Sequence, residues 1–280
     1  MASAGKLKTS IKDLLARTVW SYDGEALART LARMGVVPGD TLMVHSSWLA
    51  HNGFRGKASD AVVSLKRVVG PSGLLVMPSL PYHNMSTAEY LAKARPMNVR
   101  KTPSMMGMLS EAFRRSDGVR RSLSPTHPLV AWGADRDAFL EHHERTDEPF
   151  GRLSPFARLV DRNAWILGVD TPFSSFTFTH YVEAATANAL PFAFYDPEPL
   201  SAVTIGYEGE RIDCAVKVIS ARANRARREE RLISELEAAG ALVRQRVGNT
   251  GLILVRARSV LDAAERLVAR GTHFFEIRDM

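Results

Sequence analysis

Gly39-Asp40-Thr41-Leu42-Met43-Val44-His45-Ser46-Ser47 and Gly73-Leu74-Leu75-Val76-Met77-Pro78, with a helical pattern from Ser59 to Val69 between them, decide the fold. Thr41 to Val44 and Leu74 to Met77 are short apolar runs bounded by Gly, Pro and Asp turn residues, which reads as two buried strands. Strands joined through a helix run parallel, so this β-turn-α-turn-β order predicts a parallel sheet. Upstream, residues 10–20 and 23–35 have helical apolar periodicity, with Asp23 as N-cap and Gly35 as stop.

Downstream, 81–103 has mixed polarity and three prolines and reads as an irregular, lid-like excursion. Met108 to Arg115 is helical, and 116–128 is a loop around Ser124-Pro125-Thr126-His127-Pro128. A strand at 129–132, a helix from Asp135 to Arg145 and a turn at 147–151 follow. Ser59 is expected to cap the helix that runs to Val69, Ser154-Pro155 opens a helix ending near Asp161, and strand 164–169 leads to a helix over 180–190. Beyond Pro191, Ala202–Tyr207 and Arg211–Val218 alternate about Glu208-Gly209 as a hairpin does. The spacing then predicts a helix over 220–239, strands at 241–247 and 251–257, and a last helix over 259–270. The expected fold class is α/β, a three-layer α/β/α arrangement. Its central sheet is mixed and largely parallel, and its C-terminal part is elaborated and antiparallel. One domain spans 1–280, with a helical extension over 1–20 and an α+β elaboration over about 200–280.

The composition, 45% hydrophobic and 24% charged over 280 residues, is that of a globular protein with a substantial core. Its one cysteine, Cys214, excludes an intramolecular disulfide. No apolar run approaches the ~20 residues that span a bilayer, and Met1 to Ser10 lacks a secretory apolar region. The expectation is a cytoplasmic enzyme with no membrane partner, monomeric or homodimeric. The formal net charge is +7. Arg222-Ala-Asn-Arg225-Ala-Arg227-Arg228-Glu-Glu-Arg231 invites a nucleic-acid reading. Glu229, Glu230, Glu235 and Glu237 pair with it at helical spacings, and a solvated helix face without nucleic acid is the reading adopted.

Phe176-Thr177-Phe178-Thr179-His180-Tyr181-Val182-Glu183 links a strand to a helix, where open α/β sheets keep their chemistry. His180 and Glu183, three residues apart, share a helical face and offer a base and a carboxylate. The bland alternative makes Thr179 an N-cap and Glu183 a carboxylate favourable to the helix dipole. His45-Ser46-Ser47 leaves its strand with small side chains and accessible N–H groups that suit a phosphate or an oxyanion, or is ordinary turn chemistry. Met105-Met106-Gly107-Met108 opens a helix where a ligand can approach closely, or fills core. His142-His143 point about 100° apart on a helix and make a poor metal pair, so no metal is expected. The acidic stretch Glu141, Glu144, Asp147 and Glu148 is a solvated face or a site for cations.

Taken in order, these segments resemble the aminoglycoside 3-N-acetyltransferase family, a fold distinct from the GNAT superfamily. The set comprises Gly39 to Ser47, Gly73 to Pro78, Met106-Gly107-Met108 before Glu111-Ala-Phe113-Arg114, and Arg121-Ser122-Leu-Ser124-Pro125-Thr126-His127. It continues with Pro149-Phe150-Gly151, Ser154-Pro155-Phe156, and Leu167-Gly168-Val169 leading to Thr177 through Glu183. The resemblance implies direct acyl transfer from acetyl-CoA to an amine, with His180 as general base and Glu183 orienting it. It implies a cofactor site at His45, Ser46, Ser47, Met106, Gly107 and His127. Tyr82, Glu148, Asp170 and Thr177 are the candidates for the acceptor side. The sequence departs from the family where Ser124 replaces part of a common His-Pro pair, Pro128 a small hydroxyl residue, and Phe176 an asparagine. The acceptor is expected to be an aminoglycoside or related amino sugar. The alternative, matched to a basic protein, is a nucleotide-linked amino sugar or another small amine.

Overall fold

A computed structural model describes the backbone of residues 2–276 and the side chains of 9–276. Its strands are β1 (Thr41–Ser46), β2 (Leu74–Pro78), β3 (Met97–Asn98), β4 (Arg120–Arg121), β5 (Leu129–Gly133), β6 (Trp165–Val169), β7 (Leu200–Ile205), β8 (Arg211–Val216), β9 (Val243–Val247) and β10 (Thr250–Arg256). A seven-stranded sheet runs β4-β5-β2-β1-β6-β10-β9. β1 lies parallel to both β2 and β6, as the crossover required. β4 and β5 on one flank and β10 and β9 on the other run antiparallel. The mixed sheet is thus parallel at its centre and antiparallel at its margins.

Side chains alternate across a strand, and the two resulting faces carry separate cores. Leu42, Val44, Leu75, Met77, Leu167 and Val169 pack against helices Gly24–Arg33, Ala58–Val69 and Met108–Arg114. Met43, Leu74, Val76 and Ile166 pack against helices Pro155–Asp161, Thr179–Ala185, Glu229–Ala238 and Ala257–Ala269. A strand covered on both faces must be apolar at every position, which is why these runs carry no polar alternation. Asp23 caps its helix as read, accepting from Ala26 N at 2.9 Å.

Four local readings change. The 81–103 stretch is ordered by helix Thr87–Leu91 and by β3, which pairs parallel with β7. Ser86 and Glu89 form a reciprocal capping box at that helix start. The helix at Asp135 stops at Leu140, because Glu141 is extended and His142 has φ 62°. Lys57, not Ser59, is the cap residue of the 58–69 helix, and Asp60 accepts from its N–H at 2.7 Å. The 220–239 helix is two, Ala221–Ala226 and Glu229–Ala238, with Arg227 extended and Arg228 non-helical between them. There Arg227 bridges to Phe275, and Arg228 N–H donates to Phe274 O at 2.7 Å. Among the described residues, no helix is long and apolar enough to cross a membrane.

Candidate active site

The candidate site lies where β1, β2 and β6 end and β5 begins, the crevice beyond the carboxyl ends of the parallel strands. In the β1–β6 register His45 sits opposite Gly168. Phe176 occupies the space a side chain at Gly168 would need, since a Cβ there would lie 2.7 Å from its ring. The Phe176 ring in turn stacks on His45 with centroids 4.8 Å apart and planes 7° from parallel. The Phe176 departure is therefore built into the strand ends.

His180 stands on the first turn of helix Thr179–Ala185. Its Nδ1–H donates to Glu183 Oε2 at 2.9 Å, and Glu183 is fully buried. Arg227 grips the same carboxylate from the other side: Nε donates to Oε1 at 2.5 Å and Nη2 to Oε2 at 2.9 Å. Arg227 Nη2 also lies 3.3 Å from His180 Nδ1, placing the guanidinium charge beside the ring. Burial alone would raise the Glu183 carboxyl, but His180 and then Arg227 outweigh it and hold it below the usual carboxylate range. Glu183 is a buried charge paired with Arg227 and hydrogen-bonded by His180. The capping alternative does not describe it: Phe178 is the cap residue, and Thr179 Oγ1 donates back to Phe176 O at 2.8 Å.

Phe150 connects this pair to a second histidine. Its ring lies 5.0 Å from that of His180 and 4.6 Å from that of His127. His127 is buried, with Nε2 3.0 Å from Tyr82 Oη and Nδ1 3.0 Å from Thr126 Oγ1. Tyr82 Oη continues to Thr87 Oγ1 at 2.8 Å. Burial, then the charge of His180, pushes His45 down to about 3 and His127 well below its ordinary value. Both are neutral rings at physiological pH. His180, with 27% of its side chain exposed, is the histidine of the three that reaches solvent.

Comparison with known proteins fits this geometry. The aminoglycoside 3-N-acetyltransferase family profile matches residues 43–269. The chain belongs to that family. Aminoglycoside N(3)-acetyltransferase VII of Streptomyces paromomycinus is 30% identical over 212 residues, 71% of each chain. The crystal structure of aminoglycoside acetyltransferase AAC(3)-Xa superposes with a TM-score of 0.78 at 25% identity, covering 95% of this chain and 99% of that one. AAC-IIIb in its binary complex with CoASH shares the fold, with a TM-score of 0.73 at 20% identity over 92% of this chain and 99% of that one. Membership makes the chain an enzyme, a CoA-dependent N-acyltransferase by type.

The other positions singled out by the family resemblance divide. Ser46 and Gly107 come together: Gly107 has φ 92°, and a Cβ on it would stand 3.6 Å from Ser46 O. The N–H groups expected to stand free at this loop are committed, Ser47's to Val169 O at 3.1 Å and Trp48's to Ser46 Oγ at 3.1 Å. Met106 packs on the Leu80, Tyr82 and Tyr90 cluster, so its core reading and its position beside Gly107 hold together. Thr177 offers its backbone O to His180 N–H at 3.3 Å. Glu148 is neutralised by Lys217 at 3.2 Å. Asp170 accepts from Gly251 N–H at 2.9 Å and lines a cavity beside Arg244 and Arg246, an unfavourable place for a cation. His143 uses both ring nitrogens, toward Ser122 Oγ at 2.9 Å and Pro149 O at 3.1 Å, while His142 points to solvent.

Arg227 is the site residue that the sequence reading missed. A solvated helix face was expected there, and the signal against it was adjacent: Glu229-Glu230 is the acidic first turn of a new helix, which leaves Arg227 in the junction.

Proposed function

We propose that this protein transfers an acetyl group from acetyl-CoA directly to an amino group of an aminoglycoside or related amino sugar, with His180 as general base, Glu183 orienting it and Arg227 holding Glu183. The observation that carries this reading is the His180–Glu183–Arg227 arrangement. A carboxylate only accepts, so Glu183 fixes the proton on His180 Nδ1 and leaves Nε2 as a lone-pair acceptor. Among the described residues no side chain bonds to Nε2.

Acetyl-CoA supplies the acyl group as an activated thioester. The residues that would hold it are Ser46 and Gly107, where the backbone approaches closely, beside His45, whose buried Nε2 has no hydrogen-bond partner among the described residues and fits a ligand's polar atom. The acceptor amine is largely ammonium at neutral pH and must lose a proton to attack. His180 Nε2 takes that proton, and the imidazolium that results is stabilised by Glu183 through Nδ1–H. As the C–N bond forms and the thioester C–S bond breaks, the imidazolium can return the proton to the departing CoA thiolate. His45 and His127 stay neutral and do not compete for it.

The acceptor itself has a second reading. Glu148 is paired with Lys217 and Asp170 lies beside arginines, so two acidic candidates for gathering a polycation are already engaged. With a net charge of +7, this favours an anionic, nucleotide-linked amino sugar as the alternative. A thiol-release assay with acetyl-CoA against aminoglycosides and nucleotide-linked amino sugars separates the two. Turnover on an aminoglycoside supports the first, and turnover confined to nucleotide sugars replaces it with the second. His180→Ala should lower kcat by at least ~10²-fold with the fold intact. Near-normal turnover in that variant would place the base elsewhere.

A further inference from the structure

A cavity of about 590 Å³ lies away from His180, between the end of helix Met108–Arg114, the 99–103 loop, β4 and Tyr207. Its cationic lining is Arg100, Lys101, Arg114, Arg115, Arg120 and Arg121, against one acidic side chain, Glu111. Glu111 is taken by Arg114, at 2.7 Å to Nε and 2.7 Å to Nη2. Arg100 and Arg120 have exposed partners, Glu208 at 3.7 Å and Asp137 at 3.6 Å, and such pairs contribute little. Among the described residues, Lys101, Arg115 and Arg121 have no carboxylate partner.

Arg121 is the decisive group. It is 3% exposed, and its guanidinium donates to carbonyls, Thr102 O at 2.6 Å and Ser79 O, while Nε has no hydrogen-bond partner among the described residues. A buried cation whose nearby carboxylate, Glu111, is paired elsewhere is unfavourable, and burial followed by Arg114 pushes its guanidinium down to about 10 against the charge of Glu111. Tyr207 fixes the array. Its Oη accepts from Arg121 N–H at 2.6 Å, and Arg120 Cζ lies 3.7 Å from its ring centroid. These are preset donors around a space of ligand size, with a buried charge that an anion would compensate.

We propose that this cavity binds a phosphate-bearing anion. Two sources share that chemistry: a free oligophosphate, or the phosphates of the CoA co-substrate. The second is in reach, because helix Met108–Arg114 starts beside Gly107 and its seven residues rise only about 10 Å.

The test titrates the full-length protein with inorganic tripolyphosphate at low salt by calorimetry. Lys101→Glu with Arg120→Glu should weaken binding at least ~10-fold, the scale of one lost charge-assisted hydrogen bond. Arg222→Glu with Arg225→Glu, the same change of charge elsewhere, should leave it nearly unchanged. No binding to the unaltered protein, or equal losses in both double variants, overturns the proposal. If the first pair fails to fold, Lys101→Gln with Arg115→Gln, at two exposed positions, replaces it. The KM for acetyl-CoA against S-acetylpantetheine then names the source. A rise for acetyl-CoA alone assigns the site to the co-substrate, and no change in either assigns it to a separate anion; both results keep the site. This last arm rests on the proposed acetyl transfer, whereas the tripolyphosphate arm does not.

Discussion

Arg227 holds Glu183 in place at the cost of no hydrogen-bonding capacity on His180 Nε2. Its two-pronged contact matches the carboxylate plane, a geometry that lysine cannot reproduce. Removing it leaves a fully buried carboxylate hydrogen-bonded by His180 but without its arginine counter-charge. Arg227→Ala is therefore expected to destabilise the fold by about 3–5 kcal/mol, the usual scale for breaking a buried pair from one side. Arg227→Lys, which keeps the charge and loses the fork, should fall between the two in both stability and kcat. Urea unfolding and steady-state kinetics on the same preparations check this, and an alanine variant with unaltered stability and turnover would show that Glu183 needs no second partner. Glu183→Gln keeps the shape and removes the charge that stabilises the imidazolium. It should lower kcat by at least ~10-fold while changing KM little.

The strand ends show what a linear sequence discloses and what it conceals. Gly168 and His45 meet across the β1–β6 ladder, and Phe176 fills the gap over the glycine and stacks on the histidine. Gly168→Ala would push a Cβ into a ring that is 1% exposed and has little room to move. It should lower stability by about 1–3 kcal/mol through overpacking and reduce kcat as His45 loses its stack. A thermal melt and a turnover assay would check it; an unchanged melt would mean that the ring shifts freely. The parallel centre of the sheet was legible because apolar runs, turns and a crossover lie next to one another between Gly39 and Pro78. The His180–Glu183 pair was legible for the same reason, being three residues apart on one helix. Arg227 was not, since it reaches Glu183 across 44 residues and only the chain's return past Phe275 breaks its helix. Glu148 and Asp170 misled for the converse reason: a carboxylate's charge can be read in sequence, but its neutralising partner, Lys217 or the arginines of β9, cannot.

Across the whole molecule, the buried histidines His45, His127, His143 and His273 tie stability to pH. Burial, with the charge of His180 second, holds His45 at about 3, and burial likewise pushes His143 down to about 4 against its bond to Pro149 O. His127 is held well below its ordinary value by burial and by His180 and His143, and burial lowers His273 against its contact with Thr186 O. In the unfolded chain each titrates near ~6.5. Below that pH the unfolded chain takes up protons that the folded one refuses, so stability is greatest above ~6.5 and falls as the pH drops toward the folded values. Each histidine adds a slope of up to about 1.4 kcal/mol per pH unit in that window. Glu183 acts in the same direction further down: its carboxyl is held low in the folded state, so its contribution is present above ~4.3 and lost as the pH falls below that. Urea midpoints measured at pH 7.5, 6 and 5 should therefore decline steeply, and His143→Gln, which leaves the His180–Glu183 pair in place, should remove that ring's share of the slope. A midpoint that stays level down to pH 5 would mean that these rings take up protons without unfolding, which the packing of Phe150, Phe156, Phe176 and Phe274 against them opposes.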